Sequence, residues 1–387
     1  AVEKYFQTAD RGKLIMACGT GKTFTSLKIA EEMLGPGKLV LYMVPSLSLM
    51  SQTISEWKKD CSEEFIAFSA CSDKKVGKRK KTDDVIDITL NDLAFPATTD
   101  PFKLSNQLKK LDKSKMIVVF STYHSINVIS DAQSKYELDA FDLIICDEAH
   151  RTTGATLSDE DESNFVKIHS NENVNGKKRL YMTATPRIYG DKAKKKEEEG
   201  LITLASMNDE SIFGKIIFQR GFSWAVENNL LSDYKVIVLV MDEKVISDRL
   251  QQSFTDGNEL ALDDATKIVG CYKALAKIGL DKNNSQETLL PMKRALAFCQ
   301  NIKLSKVFSQ EFKNVVDDYL SNEKIKDKEK LIVQTSHIDG SFNAEERNTE
   351  LAWLKEDTPE NTCRVISNAR CLSEGVDVPS LDAIMFL

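Results

Sequence analysis

Long apolar runs are missing from this 387-residue chain. None approaches the roughly 20 residues that span a bilayer, and no signal-peptide pattern opens the sequence, so neither a membrane span nor a secretory leader is expected. No CxxC pair occurs among its eight cysteines, and its four histidines (His124, His150, His169, His337) are scattered, which excludes a disulfide framework and a zinc site. Cys18, Cys146 and Cys299 lie within apolar runs, where a free thiol behaves as a small buried hydrophobe. A reducing, cytoplasmic setting is the expectation. No repeat of fixed period is visible. With 42% hydrophobic and 29% charged residues the chain is neither disordered nor collagenous. Its length allows two to three domains at roughly 150 residues each. Lys and Arg number 52 against 59 Asp and Glu, a formal charge of −7. That balance argues against indiscriminate coating of nucleic acid and leaves room for a local basic groove. Both ends read as cuts: Ala1 is not a methionine, and Leu387 closes an apolar run with the pattern of a strand.

Short apolar runs alternate with polar, helix-compatible stretches. Lys13–Ala17, Leu39–Val44, Phe65–Ser69, Met116–Ser121, Leu143–Cys146 and Leu180–Thr183 have the length and Val, Ile and Leu content of buried parallel strands. Thr23–Leu34 and Ser46–Cys61 carry helical patterns. The second half repeats the theme, with strands at Lys235–Met241, Arg294–Phe298, Leu331–Ser336, Arg364–Ser367 and Ala383–Leu387, and helices at Asp263–Ile278, Lys303–Leu320 and Asn343–Leu354. Two α/β domains in tandem are predicted, residues 1–228 and 229–387, joined near Asn228–Tyr234. Three stretches break the alternation: Asp73–Asp100 with a basic knot at Lys74–Lys81, the polar Asp159–Asn175, and Lys192–Glu199. Charge runs of this kind are ordinarily solvated surface. Trp57, Trp224 and Trp353 fall on helical patterns as packing residues.

Met16-Ala17-Cys18-Gly19-Thr20-Gly21-Lys22-Thr23 follows the first strand and opens a helix. Glycines let backbone N–H groups close around a phosphate, and the helix N-terminus adds partial positive charge. Gly19, Thr20, Gly21, Lys22 and Thr23 are therefore candidates to hold a nucleotide, with Lys22 reaching the β- and γ-phosphates and the Thr23 hydroxyl ligating Mg2+. Met16 stands where the GxxxxGK[ST] pattern has its first glycine. Asp147-Glu148-Ala149-His150 follows the strand Phe141–Cys146. Carboxylates at the carboxyl end of a parallel strand face the crevice where ligands bind. Asp147 is the candidate Mg2+ ligand, and Glu148 the candidate for orienting and deprotonating water. ATP and Mg2+ are the cofactors these residues suit.

Taken together, these residues resemble the superfamily 2 helicases and translocases. Ala17–Thr23 is similar to their motif I, Val44–Leu49 to Ia, Ser121–Ser125 to Ib, Asp147–His150 to II and Thr183–Thr185 to III. Leu296–Cys299 is similar to motif IV and Ser367–Pro379 to motif V. The resemblance implies two tandem RecA-like domains with parallel sheets, the second ending before motif VI and its arginine finger. It implies ATP hydrolysis served by Lys22, Asp147 and Glu148, with coupling to domain movement through His150, Thr183 and Thr185. Gly375 and Asp377 of motif V would face the nucleotide. Pro45, Ser46, Thr122 and Arg370 would lie along the nucleic-acid track, with Arg370 either binding a phosphate or bracing its loop. His337 either touches a phosphate or is a surface residue. No adenine-reading glutamine motif precedes the phosphate loop at the usual remove.

Wording inside the motifs points further. Asp147–Thr152, Thr183–Arg187 and Leu230–Tyr234 resemble the motor parts of Type I restriction enzymes, and Asn368–Pro379 resembles the single-polypeptide (Type ISP) branch. This implies a translocase on double-stranded DNA that grips backbone phosphates without sequence preference. It further implies nuclease, methyltransferase and target-recognition domains in the full-length chain, and no membrane partner. The rival readings are a DEAH-type RNA helicase and a nucleic-acid-binding module with a vestigial ATPase site.

Overall fold

The structure, a computed structural model, describes residues 2–70, 97–111, 113–157, 164–190, 202–234, 236–238, 262–278, 290–323, 330–342, 344–369, 372 and 381–387. The chain divides into two compact units, the first ending at Tyr234 and the second running on to Leu387.

In chain order the first unit holds α1 (Val2–Phe6), β1 (Arg11–Met16), α2 (Lys22–Met33), β2 (Leu39–Val44), α3 (Leu47–Asp60), β3 (Phe65–Ala70) and β4 (Ala97–Thr98). Then come α4 (Pro101–Lys109), β5 (Met116–Thr122), α5 (Ile126–Tyr136), β6 (Leu143–Cys146), β7 (Gly154–Leu157), β8 (Arg179–Thr183), β9 (Ile202–Ala205), α6 (Glu210–Phe213), β10 (Lys215–Arg220) and α7 (Phe222–Glu227). Eight strands form one sheet in the order β10-β1-β8-β6-β2-β5-β3-β4. Every neighbouring pair in it is parallel. β7 and β9 pair antiparallel outside it.

The central strands of the sheet are buried on both faces, and so they read as continuous apolar runs. In β2 all six residues are buried. Leu41 and Met43 enter one core with Val119, Ile144 and Tyr181. Val40, Tyr42 and Val44 enter the other with Trp57, Phe120 and Ile145. Helix starts are written locally: the Ser46 hydroxyl accepts the Leu49 N–H at 3.3 Å to open α3, and Asp100 accepts from Phe102 and Lys103 ahead of Pro101 to open α4. Because the strands are all parallel, their carboxyl ends share one edge. Along it the order β1, β8, β6, β2, β5 sets the glycine loop beside Thr183, then Asp147, then Pro45, then Thr122.

The second unit contains α8 (Leu262–Leu275), β11 (Arg294–Phe298), α9 (Ile302–Glu323), β12 (Ile332–Ile338), α10 (Ala344–Lys355), β13 (Thr362–Asn368) and β14 (Ala383–Phe386). Its parallel sheet runs β12-β13-β11-β14. α8 and α9 cover one face through Tyr272, Phe308 and Phe312, and α10 lays Leu354 against the other. Trp353 on α10 stacks 4.9 Å from the Arg364 guanidinium. Of the strand expected at Lys235–Met241, residues 236–238 carry no regular structure, and the remainder lies outside the described residues. The basic knot Lys74–Lys81 and the run Lys192–Glu199 also lie outside them.

The described part of Asp159–Asn175 departs from the solvated loop expected there. Residues 166–176 wrap a buried arginine, since Arg179 is only 1% exposed. Its Nε donates to Ile168 O at 2.9 Å, Nη1 to Gly176 O at 3.3 Å, and Nη2 to Val174 O at 2.6 Å and Asn171 Oδ1 at 2.7 Å. A guanidinium with several donors organises a polar segment that has few apolar side chains to bury. His169 of the same segment is buried, with Nδ1 3.0 Å from the Tyr181 hydroxyl and Nε2 2.9 Å from Thr152 O. Burial pushes its pKa down to about 4 from 6.5. The folded chain thus keeps His169 neutral while the unfolded chain protonates it below 6.5. The associated stability is present above that pH and lost as pH falls toward 4. Relative to a His169→Gln variant, the wild type is expected to lose up to about 3 kcal/mol between pH 7 and pH 4. Urea denaturation of both proteins across that range checks this, and parallel pH profiles would refute it.

Candidate active site

β1 ends at Met16 and the chain leaves the sheet in a glycine loop. Gly19 and Gly21 adopt φ of 75° and 85°, in the left-handed region that favours glycine. A Cβ at Gly21 would meet nothing within 4 Å, so the demand there is conformational and not one of space. The Thr20 hydroxyl donates to Ala17 O at 2.7 Å and tightens the loop, and the Thr25 N–H donates to Gly21 O at 2.9 Å to begin α2. Cys18, expected to be buried, is exposed because the apolar run continues past the point where the strand stops. Its Sγ lies 3.9 Å from Lys22 Nζ.

The sheet brings Lys22, Asp147, Glu148, His150, Thr183 and Thr185 together. Lys22 Nζ is 3.6 Å from Glu148 Oε1, and His150 Nδ1 is 3.4 Å from Glu148 Oε2. His150 Nδ1 is also 3.0 Å from Thr183 Oγ1, which accepts the Thr185 N–H at 3.1 Å. A continuous polar chain therefore runs from the glycine loop through the turn after β6 to the end of β8. Glu148 has φ 47°, a left-handed value costing on the order of 1 kcal/mol or more for a residue with a Cβ, and strain of this kind collects at functional sites.

Asp147 is buried, and burial, reinforced by the neighbouring Glu148, raises its carboxyl to about 6 against the opposing pull of Lys22. Burial alone would raise Glu148 too, but His150 and Lys22 outweigh it and hold the group below its ordinary value, so Glu148 stays ionised. Two adjacent carboxylates share one lysine, leaving a negative pocket with oxygen donors. That donor set, with the Thr23 hydroxyl at the start of α2, suits a hard divalent cation such as Mg2+.

Two tyrosines complete the site and were not anticipated from the sequence. The Tyr42 hydroxyl is 3.4 Å from Asp147 Oδ2, and the Tyr123 hydroxyl donates to Asp147 O at 2.7 Å. For Tyr42 the available signal was a polar-tipped aromatic within an otherwise apolar strand, whereas Tyr123 stands just past the end of β5. Burial carries both phenols well above their usual range, so both remain protonated donors.

The candidate nucleic-acid residues of the first unit reach the same edge with their side chains already engaged. Pro45 is buried, Ser46 caps α3, and Thr122 Oγ1 is 2.8 Å from Ser125 Oγ. The exposed polar side chains of the segment after β5 are His124 and Asn127. Arg370, Gly375 and Asp377 lie outside the described residues. His337 is neither an open phosphate ligand nor a surface residue: Nδ1 is 2.7 Å from Ser305 Oγ and Nε2 is 3.0 Å from Asp339 Oδ2. Asp339 is 2% exposed; burial alone would raise its pKa, but Ser341, His337 and Lys306 hold it far below the usual carboxylate range.

The family described as Type III restriction enzyme, res subunit, matches residues 1–188. Among solved structures, the chain is 41% identical to the ATP-dependent Type ISP restriction-modification enzyme LlaBIII bound to DNA, with a TM-score of 0.81 over 99% of this chain and 24% of that one. It is 34% identical to a nuclease-deletion mutant of the Type ISP enzyme LlaGI in complex with a DNA substrate mimic, with a TM-score of 0.65 over 100% of this chain and 24% of that one. It is also 26% identical to the probable helicase A859L of African swine fever virus, over 98% of this chain and 35% of that protein. The chain thus spans about a third of its curated relative and a quarter of the restriction-modification enzymes.

The chain is built from RecA-like α/β units, and its similarities are to the superfamily 2 helicase and translocase ATPases. Within that class it is similar to the motor part of the single-polypeptide, Type ISP restriction-modification enzymes. Among the described residues, no helix is long and apolar enough to cross a membrane.

Proposed function

We propose that this chain is the motor of a restriction-modification enzyme and couples Mg-ATP hydrolysis to movement along double-stranded DNA. The observation that carries this reading is the Lys22–Glu148–His150–Thr183 chain at the carboxyl edge of the parallel sheet. Gly19, Thr20 and Gly21 offer backbone N–H groups to phosphate oxygens, and Lys22 leaves Glu148 to bind them. Thr23 and Asp147 hold Mg2+, which when bound neutralises phosphate charge. Glu148, kept ionised by His150 once Lys22 has moved to the phosphates, takes the proton of the attacking water. His150 then passes any shift of Glu148 to Thr183 and Thr185, which carry it to β8.

Residues 1–228 and 229–387 form the two domains of this motor. Gly375 and Asp377 of the second serve the nucleotide. The segments at Pro45, Ser46 and Thr122, together with Arg370, serve the DNA backbone. The 41% identity to an enzyme whose structure holds DNA supports this partner. The reading also places nuclease, methyltransferase and target-recognition domains in the full-length protein, and the protein in the cytoplasm. Steady-state ATPase with and without duplex DNA, paired with displacement of a triplex-forming strand, tests it. Mg2+-dependent turnover that duplex DNA stimulates, together with strand displacement, is expected. Stimulation by RNA alone would overturn the DNA assignment, and absence of nucleotide binding would overturn the motor.

A further inference from the structure

We propose that Tyr42 is a positioning residue for the cation-binding carboxylate: its buried hydroxyl donates to Asp147 and fixes the orientation of that side chain. The inference rests on the reading of Thr23 and Asp147 as the Mg2+ ligands. Tyr42 is fully buried in β2, with its ring held edge-on by Trp57 at 5.2 Å and against Phe120 at 5.6 Å. A phenylalanine would fill the same space, and burying a hydroxyl without a partner is unfavourable. The hydroxyl therefore has to be explained by what it reaches.

It reaches two groups, lying 3.4 Å from Asp147 Oδ2 and 3.5 Å from Ser26 Oγ. Ser26 Oγ donates to Thr23 O at 2.6 Å, and the Trp57 indole N–H donates to the same carbonyl at 3.2 Å. Each hydroxyl has a single proton, so with Ser26 donating to Thr23 O and Tyr42 donating to Asp147, the Ser26–Tyr42 approach is a packing contact and the orienting bond is the one from Tyr42. The Glu148 N–H donates to Asp147 Oδ1 at 2.9 Å, so the two carboxylate oxygens are held by different groups. Rotation of the carboxylate loses both contacts at once. The Tyr42 contact is long for a hydroxyl, which puts its effect below the 10–100-fold usual for groups that orient metal ligands.

The test is Tyr42→Phe in the protein, with fluorescent ADP titrated first in EDTA and then at increasing Mg2+. Affinity in EDTA is expected to stay within about two-fold of wild type, while the Mg2+ concentration at half effect rises roughly three- to ten-fold. Ser26→Ala, which leaves the Tyr42–Asp147 contact in place, should keep the wild-type midpoint, and an equal shift in it would overturn the role of the Tyr42 hydroxyl. Tyr42→Met, which also removes that hydroxyl, is the deciding variant if Tyr42→Phe does not fold. A Mg2+ midpoint unchanged from wild type, or an equal loss of affinity with and without Mg2+, would overturn the positioning role. Wild-type protein that shows no Mg2+-dependent ADP binding would instead overturn the motor reading itself.

Discussion

Glu148→Gln is expected to lower ATP turnover by about 10²–10⁴-fold while nucleotide and Mg2+ binding stay near wild type. The amide can still hold a water by hydrogen bonding but cannot accept its proton. The substitution also removes the charge that holds Lys22 Nζ at 3.6 Å, which leaves the ammonium freer for phosphate oxygens. Binding should therefore be unchanged or tighter as turnover falls. His150 and Thr183 keep their own 3.0 Å contact, so the turn after β6 has a reason to stay in place. Steady-state ATPase and equilibrium nucleotide titration of both proteins make the comparison. Turnover within about two-fold of wild type would remove Glu148 as the base, and a parallel loss of binding would mean that it serves the fold of the loop instead.

Arg179→Met is expected to destabilise the first unit by about 3–5 kcal/mol, among the larger effects of a single substitution. Methionine replaces the arm of the side chain but none of its donors. Ile168 O, Val174 O and Gly176 O then lose the guanidinium in a buried setting, each at a cost of about 1–3 kcal/mol unless water enters, while the exposed Asn171 keeps the Gly176 N–H on its Oδ1. The sum is held down by relaxation of residues 166–176. The same segment carries His169, whose Nε2 bonds Thr152 O just past the Asp-Glu-Ala-His turn, so nucleotide turnover should fall along with stability. Urea denaturation with m-values checks the prediction. A midpoint shift worth under about 1 kcal/mol would show that the segment holds its shape without the guanidinium.

Much of this protein is readable from its residues in order. Leu39–Val44, Leu143–Cys146 and Arg294–Phe298 begin and end in the structure where their apolar runs do, because parallel strands buried on both faces leave no polar alternation to blur them. Lys22, Asp147 and Glu148 were legible because phosphate and cation chemistry needs a local backbone shape: glycines before a helix, carboxylates just past a strand. β10 was not legible. As an edge strand with nearly every residue exposed it has an apolar run of only three residues, Ile216–Phe218, yet it pairs with β1 beside the glycine loop. Nor was Cys18 at the exposed tip of that loop, since an apolar run does not mark where a strand leaves its sheet.

Tertiary structure alone decided the lateral order of the strands, and with it which motif stands beside which. Tyr42 lies 105 residues from Asp147, and within its own strand it looks like one more core aromatic. His169 looks like polarity in a solvated loop, and Arg179 like a charge at the start of a strand, until residues 166–176 close over both. Periodicity along a chain reports how a segment meets the average inside and outside of a protein. A hydrogen bond between distant segments depends on which strands the crossovers set side by side, and that order is the outcome of packing the whole sheet.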